Sequence, residues 1–192
     1  SGIAYSGSKA LTLDASRYYA SGNTNYLTGT FNLTNYNVSL NDVRLDFHFN
    51  SHGLFPSANN KVWIRGNDLQ PWIQVYDLDA SQNDPGSYKK SSSIEVSDLL
   101  AANGQSFSPS FQVRWGQTGV IAATDLQNAN GFSFDDIRVY EVSNDMQMLS
   151  IDAPVQASCG LTNNTTIQVT VRNSSNAVIN NIPVRYRVNN GS

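Results

Sequence analysis

Two adjacent carboxylates, Asp135 and Asp136, stand where a strand pattern slips. In GFSFDDIRVYEV (Gly131–Val142), Phe132 and Phe134 share one parity, while the apolar pair Ile137 and Val139 falls on the other. A β-bulge at the acids would return Ile137 and Val139 to the buried face and turn both carboxylates toward one place. Calcium takes hard oxygen ligands, often from loops, and Asp14 from the early strand ALTLDAS completes a constellation of three acids suited to it. In the competing reading the same acids accept N–H or arginine hydrogen bonds and bind no metal.

The other reactive residue types assemble less well. Asp46 and His48 lie two apart on one strand face, and no GxSxG elbow accompanies them. His48 and His52 would share a face only on a helix, but DVRLDFHFN alternates as a strand and no HExxH occurs. Both pairs read as solvent-side polar residues. Glu95 and Glu141 are the only glutamates beside thirteen aspartates, and nothing selects two acids across a cleft for glycoside hydrolysis. No catalytic residue is assigned, and the chain is expected not to be an enzyme.

Trp63, Trp72 and Trp115, with Tyr18 and Tyr19, could stack sugar rings. The strands around Trp63 and Trp115 alternate into a core, so both read as core residues. Cys159 is the single cysteine; it reads as a small buried hydrophobe or as the partner of a cysteine elsewhere. Sequons at Asn32, Asn37, Asn163, Asn164, Asn173 and Asn190 barely exceed the roughly four that this composition yields by chance, so glycosylation is not inferred.

Strands must position these groups. Ala10–Ser16, Tyr26–Leu33, Asp42–Asn50, Lys61–Arg65, Trp72–Leu78, Ser93–Val96 and Phe111–Trp115 carry strand signals, and the Asp-Asp segment closes the series. Val43, Leu45, Phe47 and Phe49 take one face of the cleanest of them. Ser97 is expected to N-cap the only helix, through Ala102, with Asn103–Gly104 stopping it. Residues 1–142 are thus expected to form an antiparallel jelly-roll sandwich. A linker over 143–147 leads to strands at Met148–Ala153, Thr166–Arg172 and Pro183–Val188, too few for an immunoglobulin-like domain of about 100 residues. Residues 148–192 therefore read as the N-terminal part of a second, immunoglobulin-like β-sandwich, or as a segment completing its sheet with another chain.

Composition agrees with turn-rich β structure: 23 Asn and 24 Ser supply the polar surface where charged residues make up only 14%. The net charge of −3 and the absence of a basic cluster argue against nucleic acid as a partner. No apolar run approaches the ~20 residues that span a bilayer, so no membrane insertion is expected. The opening SGIAYSG shows neither an initiator Met nor a leader pattern, and the chain reads as a piece of a longer or processed extracellular protein.

The early AYSGSKALTLD (Ala4–Asp14) paired with the late GFSFDDIRVYEV resembles MAM-type jelly rolls and the adhesin modules that follow secreted bacterial cysteine proteases. That resemblance implies a closing strand beside the first strands, with calcium in some members. The animal MAM domains carry disulfides, and this stretch has no cysteine. KVWIRGND, PWIQVYDL and FQVRWGQ look like versions in large surface proteins of Bacteroidetes-type bacteria, including gliding adhesins exported by the type IX system. CGLTNNTTIQVTVRNSSNAVINNIPVRYRVN is similar to the immunoglobulin-like repeats that follow such modules. The resemblance implies a cell-surface adhesin binding glycan or protein, or the accessory carbohydrate-binding or adhesin domain of a secreted protease or glycosidase. A structural stalk built of two sandwiches is the third reading.

Overall fold

The structure, a computed structural model, describes residues 4–14, 23–52, 56–81, 86–119, 131–142, 146–154, 162, 164–173 and 178–186. The chain divides into two compact units, one ending at Glu141 and one beginning at Val142.

Two antiparallel sheets make the first unit. One joins β1 (Leu11–Asp14), β9 (Gly131–Glu141) and β3 (Val43–Ser51) in that order; β6 (Lys89–Lys90) and β7 (Ile94–Glu95) both pair with the far edge of β3. The other runs β2 (Asn23–Phe31), β8 (Phe111–Gly119), β4 (Lys61–Arg65) and β5 (Ile73–Asp77). From β1 to β4 each successive strand belongs to the opposite sheet, and the closing strand β9 returns between β1 and β3. The fold is an all-β sandwich.

Strand alternation produces the core. Val43, Leu45, Phe47 and Phe49 from β3 and Phe132 and Phe134 from β9 meet Val62 and Ile64 from β4 and Phe111, Val113 and Trp115 from β8. The Phe47 ring stands edge-on to Trp115, Tyr76 and Phe134, with centroids 6.0, 5.5 and 6.0 Å away. Such edge-to-face pairs add ~0.5–1.5 kcal/mol each beyond area burial. Phe47 is therefore the pin between the sheets.

The helix α1 (Val96–Ala102) begins two residues earlier than expected, with Glu95 in the capping position and no side-chain cap. Ser97 is not the cap, because its hydroxyl is used elsewhere: it donates to the Asn41 carbonyl and accepts from Val43 N–H at 2.9 Å. Gly104 at φ +66° ends the helical segment as expected.

In the second unit β10 (Met146–Ala153) pairs antiparallel with β11 (Gln168–Asn173). Pro183–Tyr186, expected in a strand, is irregular, and residues 187 and 188 lie outside the described residues. Cys159, Tyr18, Tyr19, Asn163 and Asn190 lie outside them too. Among the described residues no helix is long and apolar enough to cross a membrane.

Candidate functional site

Between β3 and β9 the register slips as the sequence requires. His48 faces Asp135 and Asp46 faces Arg138, so Asp136 and Ile137 together oppose Phe47. Asp136 adopts φ +46°, the left-handed conformation of a bulge residue. Ile137 and Val139 return to the core side.

The bulge aims Asp135 at the chain's first described residues. Tyr5 and Ser6 N–H groups donate to Asp135 Oδ2 at 2.8 and 3.1 Å, and the Asp136 N–H donates to Oδ1 at 2.8 Å. Ser6 Oγ donates to Asp136 Oδ1 at 2.6 Å. Tyr5 is thereby laid on the His48 ring, centroids 3.9 Å apart and planes 13° from parallel. Burial opposes ionisation of Asp135, but the donors on Ser6, Asp136 and Tyr5, with His48, hold its carboxyl below the usual value. These contacts form a clasp that ties the opening segment to the closing strand.

The register places Asp14 opposite Gly131, four residues along β9 from Asp135, or about 13 Å at strand rise. Its side chain lies outside the described residues. Among the described residues no three His, Cys, Asp or Glu side chains converge as metal ligands.

The other sequence candidates separate. Asp46 does not meet His48: it is buried against Arg138, which donates from Nε at 2.7 Å, and against Lys90 Nζ at 3.2 Å. His48 Nδ1 lies 3.9 Å from Asp136 Oδ2 instead. His52 Nε2 does sit 2.8 Å from Ser133 Oγ, a pair no sequence motif signals. Ser133 is wholly buried and shares its hydroxyl with Thr12, so no substrate reaches it.

The outer face of the β2–β8–β4–β5 sheet gathers the aromatic residues. Trp115 is buried as expected, but Trp63 is not a core residue. In KVWIR the buried parity belongs to Val62 and Ile64, which puts Trp63 outside with Lys61 and Arg65. Its ring rests on bare backbone: a Cβ on Gly116 would meet Trp63 Cζ3 at 2.6 Å. Tyr26, half exposed and paired in register with Gly116, meets Trp63 edge-on at 6.0 Å. Arg114 lies 3.9 Å from the Trp72 ring centroid and 4.9 Å from that of Tyr26, and Arg65 lies 4.3 Å from Trp72. Thr28, Thr30, Gln74 and Gln112 fill the same face with hydroxyl and amide groups.

A buried side chain holds Trp72 in place. Gln105 accepts from Gly66 N–H and donates to the Pro71 carbonyl, both at 2.8 Å. The loop between them leads directly into Trp72. Gly66 is required there, since a Cβ would stand 2.2 Å from the Ser106 carbonyl oxygen.

Comparison with known proteins returns no matching family model, curated protein or solved structure.

Proposed function

We propose that this chain is a non-catalytic, extracellular binding module of a larger bacterial surface protein, built on a MAM-like jelly roll and used for adhesion to glycans or proteins. The observation that carries the reading is the ordered face of Tyr26, Trp63, Trp72, Arg65 and Arg114, with its flanking amides and hydroxyls. Planar rings held by cation–π stacking are preorganised for a flat ligand, which reduces the ordering cost of binding. The strand order, with β9 inserted between β1 and β3, supports the jelly-roll form of the sandwich.

A glycan array and a surface-adhesion assay test this reading on the 192-residue chain. Binding that falls about tenfold or more in Trp63→Ala is expected, since a stacked aromatic contributes over 1 kcal/mol. Silence of the chain in both assays would sink the reading and leave a stalk.

Calcium at Asp14, Asp135 and Asp136 is a separate proposal, and the donor set at the bulge does not favour it. Calcium needs about six to eight oxygens, whereas three N–H donors face Asp135. Calorimetric titration of chelator-treated protein decides it: no heat at millimolar calcium removes the ion.

A further inference from the structure

The charge of the aromatic face carries the binding reading further, and the inference rests on that reading. Four arginines of the first unit are described. Two lie on carboxylates: Arg44 donates from Nε and Nη2 to Asp42 at 3.0 and 2.7 Å, and Arg138 donates from Nε and Nη2 to Asp46. Lys61 and Lys90 are likewise paired, with Asp77 and Asp46. Arg65 and Arg114 have no carboxylate partner among the described residues.

That pair is left open although the chain carries fifteen acids against twelve bases. Both sit on one sheet face, in registers two residues apart. Burial, followed by the like charge of Arg65, lowers the pKa of Arg114. Arg65 Nε donates to Gln112 Oε1 at 2.7 Å, and Arg114 Nε donates to Thr28 Oγ1 at 3.2 Å. Neither Nη of Arg114 donates to any described atom. Stacking on Trp72 fixes both guanidinium planes. Arg65 also donates from Nη1 to the Gln70 carbonyl at 3.4 Å, which leaves the Arg114 Nη groups as a planar fork of the kind that receives a carboxylate bidentately.

We propose that this face binds a uronate-containing polysaccharide, its carboxylates on Arg114 and Arg65 and its pyranose rings on Trp63 and Tyr26. Two further features fit a sugar acid rather than an acidic peptide. The remaining groups are threonine hydroxyls and glutamine amides, which match sugar hydroxyls. Among the described residues, the outward positions of these strands carry no aliphatic side chain to anchor a peptide.

The test is affinity electrophoresis of the full 192-residue chain in gels containing polygalacturonate or alginate. Methyl-esterified polygalacturonate, dextran sulfate and polyglutamate gels run in parallel. Retardation by polyuronate is expected, weakened about tenfold or more by esterification and by Arg114→Gln, and reduced by added salt. Arg65→Gln gives a second variant should Arg114→Gln fail to fold. Equal retardation by the esterified polymer overturns the inference and leaves the binding reading standing. Equal or stronger retardation by dextran sulfate or polyglutamate also overturns it, in favour of a general anion site. Failure to bind any of these polymers overturns the inference, while the binding reading falls only if the glycan array and the adhesion assay are silent as well.

Discussion

Asp135 accepts three N–H bonds, two from the opening segment, and it does so because a bulge turned it there. Asp135→Asn keeps the shape but replaces one acceptor oxygen with an N–H₂ group that faces donors. We expect a loss of about 1–2 kcal/mol, below the range for bonds to a fully buried charge because the site is open to water. Faster amide exchange at Tyr5 and Ser6 checks it. Acid should act in the same direction. Asp46 is held below 3.8 first by its hydrogen bond from Arg138, against burial and with help from Lys90, and Asp135 is lowered as described. Both carboxylates are depressed in the folded chain, so their stabilisation is present above the unfolded value near 3.8 and is lost as pH falls below it. Urea midpoints measured at neutral pH and near pH 3 are expected to fall on acidification, and less steeply in Asp135→Asn.

Elements carry the aromatic face. Gly116→Ala would press a methyl group against Trp63 and the Asn59 carbonyl, 2.6 and 2.7 Å away. An overpacking cost of about 1–3 kcal/mol is expected, with Trp63 displaced and tryptophan fluorescence shifted. Gln105→Ala removes both bonds to the Trp72 loop without touching the exposed face. Weaker ligand binding at nearly unchanged specificity would mark Gln105 as a positioning residue, while a fall in melting temperature with affinity intact would mark it as merely structural. Most strands of the first unit were legible from periodicity, and so was the slip at Asp135–Asp136, but β6 was not expected and Pro183–Tyr186, expected in a strand, is irregular. Trp63 was read wrongly as a core residue: the general habit of tryptophan to be buried was weighed above the alternation of KVWIR, in which Val62 and Ile64 take the buried parity. Trp72 was not legible, because its place over Arg65 and Arg114 depends on a loop fixed by Gln105, far along the chain. Nor could Ser97 be read correctly, since its partners Asn41 and Val43 lie over 50 residues away.

At the scale of the molecule, the first unit closes around Phe47. Phe47→Ala would empty a site shared by both sheets and is expected to cost about 3–5 kcal/mol, read as a lowered urea midpoint with loss of near-ultraviolet dichroism. Long-range pairing of β1 with β9 makes the sandwich a fold of distant contacts, which is why sequence yields its strands more readily than their neighbours.

The clasp at the bulge also has a mechanical meaning. Antiparallel pairing puts the start of β1, at Leu11, toward the end of β9 that leads to Glu141. Tension applied between the opening segment and Glu141 therefore peels β1 from β9 one rung at a time, rather than shearing all rungs together. The bonds from Tyr5 and Ser6 to Asp135 stand at the mouth of that zipper and are loaded first. On the proposed adhesive reading the module would yield there before its aromatic face is disturbed, and Asp135→Asn should lower the force at which it begins to open.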